Sequence, residues 1–155
     1  MAGAVLLIVI AWLVWQQRPE SVAVRHTEAL LKTLTLPAGR GQADVLLRVD
    51  RLRGMLASEA TVRVAWDGGE YDFSGRAAVQ EAFTIYASQA KESTIDAKIG
   101  KASRFPGGVL VPASLDVMVN GAGRTESTRL DGRFDWIKTD DGWQLIAADF
   151  SAAAD

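Results

Sequence analysis

The sequence predicts an α+β fold, in which helices occupy the first part of the chain, an antiparallel sheet occupies the second, and one transmembrane helix precedes both. Three observations lead to this prediction. The first fifteen residues carry no charged side chain, and apolar residues then recur every three or four positions as far as Leu56. Beyond Ser58 the period falls to two, with tight-turn sequences between the runs. The 155 residues have the length of one domain.

Composition excludes several classes of function. Seventeen Lys and Arg against nineteen Asp and Glu give a net charge of −2, so no basic surface is expected for a nucleic acid. The chain has no cysteine, which excludes disulfides and thiolate metal sites. His26 is the only histidine, and it borders the apolar stripe of a helix. We therefore predict neither a metal site nor a cofactor.

Residues 1–17 are predicted to form a membrane anchor. Their rise of about 25 Å is slightly short of a hydrocarbon core of roughly 30 Å, so spanning would require Arg18 to snorkel. Trp12 and Trp15 close the run, as aromatic residues do at the headgroup level. The alternative is a cleaved signal peptide, although no basic side chain precedes the run. The anchor residues are Leu6, Leu7, Ile8, Ile10, Trp12, Leu13 and Trp15.

The charge distribution around this segment predicts its orientation. Four basic residues follow it and none precedes it: Arg18, Arg25, Lys32 and Arg40. The positive-inside rule then favours a single-pass protein of the cell membrane with a cytoplasmic domain. A large C-terminal domain can be exported against this rule, so a periplasmic position stays open.

Three amphipathic helices are expected after a linker at 18–21. The first runs from Val22 to Leu34, and the second from Gln42 to Leu56, where aliphatic residues recur at heptad spacing. Gly75 and Arg76 open the third, whose bulky apolar face carries Val79, Phe83, Tyr86 and Ala90.

The strands follow from alternating runs. A hairpin is predicted on either side of Asp67-Gly68-Gly69, and another strand contains Ile95 and Ile99. Three long strands separated by turns at Asn120-Gly121-Ala122-Gly123 and Asp140-Asp141-Gly142 then predict an antiparallel meander. Pro112 and Gly132 are residues that allow such long strands to bend.

Three stretches carry a family resemblance: Leu56–Val62 at the entry of the first strand, Phe73–Arg76 before the third helix, and Asp141–Leu145 in the last strand. Together with the order of the elements, they resemble the nuclear transport factor two-like superfamily, which includes the SnoaL-like domains. The resemblance covers Val22 to Ser151, and the domain is placed at 22–155. It implies a cone in which a curved antiparallel sheet wraps three helices and leaves a pocket at the wide end.

The pocket of such a cone would be lined or filled by bulky side chains. Aromatic crowding of this kind is more often core than ligand cage. The residues expected there are Trp66, Phe83, Tyr86, Phe134, Trp136 and Trp143.

Enzymes of this superfamily use carboxylate, His or Tyr groups inside the pocket, and their last strand often carries an Asp-His pair. The matching stretch here reads Ala147-Ala148-Asp149-Phe150-Ser151 and lacks the histidine. If Asp149 faces the pocket, desolvation raises its pKa and makes it a candidate general base, with Tyr86 as hydrogen-bond donor. The alternative places Asp149 at the solvated end of the last strand.

Two functions follow. The first, which the missing histidine favours, is a membrane-anchored interaction module that serves as accessory or assembly subunit of a larger membrane complex. Its expected partners are other subunits, the lipid bilayer and a second copy through the sheet. The second is an anchored small-molecule-binding protein or a SnoaL-like isomerase, cyclase or dehydratase that uses Asp149 and Tyr86.

Overall fold

The computed structural model describes residues 2–66 and 68–154, with four helices and seven strands. Positions 1, 67 and 155, which belong to the predicted anchor, a hairpin turn and the C-terminal end, lie outside the described residues. The helices are α1 Ala2–Gln16, α2 Pro19–Leu34, α3 Gln42–Met55 and α4 Arg76–Gln89. The strands are β1 Leu56–Trp66, β2 Gly69–Ser74, β3 Glu92–Ile99, β4 Ser103–Phe105, β5 Gly108–Gly121, β6 Arg124–Thr139 and β7 Gly142–Ala152.

All seven strands form one curved, open sheet in the order β2-β1-β7-β6-β5-β3, with β4 also paired to β5. The predicted α+β architecture is confirmed, but the sheet is not wholly antiparallel, because β1 and β7 are parallel. These two strands lie far apart in the chain and no hairpin joins them, so turn chemistry does not constrain their direction.

The predicted meander is present in β5, β6 and β7. The β5–β6 turn consists of Ala122 and Gly123, whose φ angles of 49° and 75° both lie in the left-handed region. Two-residue hairpin turns of the primed types need such angles, because their twist matches that of the strands.

Helices α2, α3 and α4 cover one face of the sheet, where the core lies. Helix α2 packs on β5, while α4 packs on β1 and contacts α3. The apolar stripe of α2 and the inward residues of the central strands meet there, and most of these side chains are less than one-tenth exposed. The opposite face of the sheet carries charged side chains.

Helix α1 precedes this body and differs from the predicted anchor. It has 15 residues, whose rise is about 22 Å. Over residues 2–66 and 68–154, no helix combines the length and the apolarity that crossing a membrane requires. The prediction of a transmembrane helix at 1–17 is therefore not supported. The first turn of α2 includes Pro19 to Ser21, which the sequence had assigned to a linker.

Candidate functional site

The interior between helices and sheet is occupied by aromatic side chains. Trp136 and Phe134 on β6 are fully buried, and Phe83 on α4 is 5% exposed. The edge of Phe134 meets the ring of Phe150 at a centroid distance of 5.4 Å. These three residues, expected to line or fill the interior of the cone, belong to the hydrophobic core.

A buried hydrogen-bond chain satisfies the one polar group of Trp136. Its indole Nε1 donates to Oγ1 of Thr27 at 2.9 Å, and that hydroxyl donates to the carbonyl of Ala23 at 2.9 Å. His26 lies beside the indole, with ring centroids 5.4 Å apart. Desolvation, helped by the charge of Arg25, lowers the pKa of His26. These two hydrogen bonds join α2 to the sheet and satisfy the indole N–H of Trp136 and the hydroxyl of Thr27.

The other predicted pocket residues are dispersed. Trp143 and Tyr86 are half-buried against the edge of the core. Burial raises the pKa of Tyr86, while a hydrogen bond with Ser93 and the charge of Arg40 act in the opposite direction. Trp66 lies at the tip of the β1–β2 hairpin, 46% exposed and stacked on Tyr71.

A small cavity lies between the helices and the sheet. Its volume is about 140 Å³, below the 300–1,000 Å³ typical of ligand pockets. Every side chain around it is apolar, so it offers no hydrogen-bond donor, acceptor or charge from a side chain. It is lined by Leu30, Leu34, Leu52, Leu56, Val62, Phe73, Val79, Ala82, Phe83, Leu145, Ala148 and Phe150.

Asp149, the candidate general base, lies on the charged outer face of the sheet. The pairing of β6 with β7 passes from Trp136↔Leu145 to Asp135↔Ala147, which leaves Ile146 unpaired as a β-bulge. A bulge reverses the alternation of side chains beyond it. Ala148 and Phe150 therefore face the core, and Asp149 faces outward.

The structure does not bring Asp149 and Tyr86 together, since one lies on the outer face and the other on α4 at the core. The carboxylate of Asp149 is 3.9 Å from the guanidinium of Arg63, which also binds Glu70 at 2.7 Å. Asp149 and Arg63 are each half exposed, and such surface pairs contribute little to stability. Among the described residues, no three acidic or His side chains could hold a metal ion together.

An open groove of about 1010 Å³ lies between α2 and β3. Its floor contains Ile95, Ala97 and Ile99, and its rim carries charged side chains of α2, among them Arg25 and Glu28. At one end the loop after α2 is fixed to β3 by a reciprocal pair. The amide of Ser93 donates to the carbonyl of Leu36 at 2.9 Å, and the amide of Leu36 donates to the hydroxyl of Ser93 at 3.1 Å.

Helix α1 exposes apolar side chains around its whole circumference. Its large residues are between 45% and 69% exposed, including all seven that were predicted for the anchor. At its C-terminal end, Arg25 donates to the carbonyl of Gln16 at 2.9 Å. The junction with α2 is a cleft that also contains Arg18 and Lys101.

Neither the groove nor the open edge of β3 was predicted from the sequence. The alternation of Ile95, Ala97 and Ile99 with Thr94, Asp96 and Lys98 predicted the strand. It held no information on which strand ends the sheet, because strand order depends on long-range pairing. The one signal in the sequence that pointed to an open edge was the pair of opposite charges at Asp96 and Lys98, two residues apart.

Comparison with known proteins places the fold. No family model and no curated protein matches this sequence. Among solved structures, a ketosteroid isomerase-like protein from Erwinia carotovora matches with a TM-score of 0.60 and 11% identity over 88% of this chain and 95% of that one. A proposed scytalone dehydratase from Novosphingobium aromaticivorans matches with a TM-score of 0.61 and 12% identity, over 86% and 85%.

A third similar structure carries the superfamily's name. It is a nuclear transport factor two-like superfamily protein from Salmonella enterica, with a TM-score of 0.56 and 14% identity over 71% of this chain and 84% of that one. Identities this low establish the fold alone. The helices and curved sheet described above have the same fold as these three structures.

Proposed function

We propose that this chain is a membrane-attached binding module, an accessory subunit whose domain acts through its outer surfaces. The observation that carries the proposal is the exposure of apolar side chains on every side of α1. A helix that is apolar all round is stable when it is buried in a protein core or in lipid. The body does not bury the apolar side chains of α1, since its large residues from Val5 to Trp15 are between 45% and 69% exposed.

The end of α1 favours lipid as its surroundings. Trp12 and Trp15 lie near the C-terminal end, where aromatic side chains prefer the level of the headgroups. Arg18, Arg25 and Lys101 follow at the junction and would face anionic headgroups.

The acidic groups at this junction do not cancel that charge. Glu20 binds Arg104 through two hydrogen bonds of 2.7 and 3.1 Å, which lower the pKa of Glu20 and neutralise its charge locally. Glu28 is the other carboxylate of the cleft. A positive surface therefore adjoins the apolar helix, as expected for a domain held at a cytoplasmic membrane face.

The interior supports a binding role over catalysis. The aromatic side chains fill it, and the cavity that remains has an apolar lining. Asp149 and Tyr86, the pair that acid–base chemistry would use, lie on different faces of the sheet. The α2–β3 groove and the exposed Leu46 and Leu47 of α3 are the surfaces available to other subunits of a membrane complex.

Flotation with lipid vesicles tests the attachment. The full-length chain is mixed with phosphatidylcholine vesicles, with and without phosphatidylglycerol, and compared with the double variant Leu7→Glu/Ile10→Glu. We expect the wild type to float, more strongly with the anionic lipid. The variant should bind more than about a hundredfold more weakly, since a charge in the centre of a membrane helix costs about 3 kcal/mol.

The matched control is Leu46→Glu/Leu47→Glu, which places the same charges on the exposed face of α3. It should float like the wild type, and all three proteins should melt alike by circular dichroism. Equal binding by wild type and α1 variant would refute the attachment, and so would an equal loss in the α3 variant.

The apolar cavity favours a second candidate, a carrier of a small apolar molecule. Its volume of about 140 Å³ is close to that of cavities that accept benzene. In this second function the fold and the membrane attachment are unchanged, but the interior binds a ligand.

A further inference from the structure

We propose that the free edge of β3 pairs antiparallel with β3 of a second copy of this chain, centred on Ala97, so that two sheets join into one. This inference does not depend on what α1 binds. It rests on the direction of the backbone groups of β3, on the length of the free edge and on the charges along it.

The strand order leaves β3 at one end of the sheet, with β5 as its neighbour. In an antiparallel strand the N–H and C=O of one residue point to the same side, and the side alternates along the chain. The amide of Gly100 donates inward to Pro112 of β5, whereas the amide of Ser93 donates outward to Leu36. Odd-numbered residues of β3 therefore present their backbone groups to the open edge.

Three odd-numbered residues, Ile95, Ala97 and Ile99, have no backbone partner on that side within residues 2–66 and 68–154. The free stretch is bounded by Ser93, which Leu36 occupies, and by Gly100, which is turned towards β5. Its middle residue is Ala97. A two-fold axis there would pair Ile95 with Ile99 of the second copy and Ala97 with itself, giving about six hydrogen bonds.

The exposed side chains complement each other in that register. Asp96 would lie opposite Lys98 of the second copy, and Lys98 opposite Asp96, both on the solvent face. Neither side chain has an ion pair with any described residue. Within its own chain Asp96 lies opposite Asp116, and like charges across a ladder are destabilising. A lysine on the other side of Asp96 would offset that repulsion.

The other edge of the sheet lacks this complementarity. Strand β2 carries Glu70 and Asp72 on either side of Tyr71. A two-fold axis at Tyr71 would bring acidic residues opposite each other, which opposes pairing. On β3 the acidic Asp96 would instead lie opposite the basic Lys98, so the charges favour pairing at the β3 edge.

The apolar side chains on the groove side of β3 would also contact those of the second copy. Ile95, Ala97 and Ile99 form the floor of the α2–β3 groove and are partly exposed to water. In the pair, the same three residues of the second copy continue this floor beneath its own α2. Burial of this apolar area stabilises the pair in addition to the hydrogen bonds.

Zero-length crosslinking tests the register on the full-length chain in mild detergent. Unlabelled and ¹⁵N-labelled protein are mixed and treated with a carbodiimide, which joins a carboxylate to an amine in contact with it. We expect a peptide pair that links Asp96 to Lys98 with one partner of each label. Absence of the mixed-label pair overturns the proposal, as does intermolecular crosslinking confined to other surfaces.

Charge exchange gives a second, independent test. Asp96→Lys and Lys98→Asp each place like charges opposite in the pair, and each variant should dissociate at least about tenfold more readily in sedimentation equilibrium. An equal mixture of the two variants restores opposite charges and should associate as a heterodimer. The control Asp140→Lys makes the same charge change in the β6–β7 turn and should behave as wild type.

The mixture separates pairing from damage to the fold, because two misfolded variants would not restore each other. Wild-type protein that stays monomeric overturns the proposal. Dimers whose dissociation is unchanged by both substitutions overturn it as well, and so do variants that fail to associate when mixed.

Discussion

His26 is the residue whose titration reports most directly on the packing of α2 against the sheet. It lies beside Trp136, and desolvation lowers its pKa below the ordinary 6.5. As the pH falls below that value, the unfolded chain takes up a proton before the folded chain does. Stability is therefore retained above about pH 6.5 and is lost as the pH falls towards the lowered pKa.

The measurement compares urea unfolding of the wild type and His26→Gln between about pH 7.5 and pH 5. We expect the stability of the wild type to fall more steeply than that of the variant, since carboxylates contribute equally to both. Because His26 is the only histidine, its ring protons also report its pKa directly by NMR. A pKa at or above 6.5, or parallel curves, would contradict this assignment.

At the scale of elements, Arg40 holds the end of α4. Its guanidinium donates to the carbonyl of Ala87 in the last turn, which has no partner within the helix, and to the carbonyls of Ala90 and Lys91 just beyond it. Arg40→Met keeps the apolar stem but removes these donors, and we expect a loss of about 1–3 kcal/mol in unfolding free energy. Arg40→Lys should recover part of it.

Hydrogen exchange checks where this loss acts. In Arg40→Met, amides in the last turn of α4 should exchange faster, while those of β6 keep their protection until global unfolding. The control Arg51→Met, on the exposed face of α3, should change neither the exchange nor the urea midpoint. Uniformly faster exchange would contradict a local role.

The elements themselves were largely predictable, and the exceptions have identifiable causes. Helices α2 to α4 and the meander follow from periodicity and turn residues, which are local signals. The bulge at Ile146 is set by register with β6, so alternation counted from Leu145 placed Asp149 on the wrong side. The parallel β1–β7 pair is likewise a long-range contact without a local signal.

At the scale of the whole molecule, the sequence identified the exposed apolar helix but not the surfaces of the body. The apolar run at Ala2–Trp15 is visible in any window, and the structure leaves it without a partner in the body. The α2–β3 groove arises between elements that are about sixty residues apart, so only the tertiary fold creates it. The same long-range geometry separates Asp149, which was chosen from strand phase, from Tyr86, which was chosen from the apolar face of α4.

One substitution at the cavity tests whether this space is unused core volume or a binding site for a small apolar molecule. Ala148→Val directs two added methyl groups into the space of about 140 Å³, so the unfolding free energy should rise by about 1 kcal/mol. Ala147→Val is the matched control, because it makes the same change one residue away on the outward side of β7 and should have a smaller effect. Benzene, as a probe, should raise the melting temperature of the wild type and of Ala147→Val but not of Ala148→Val. If Ala148→Val destabilises the protein, the cavity does not accept added side-chain volume. If benzene has equal effects on all three proteins, the cavity does not bind an apolar molecule.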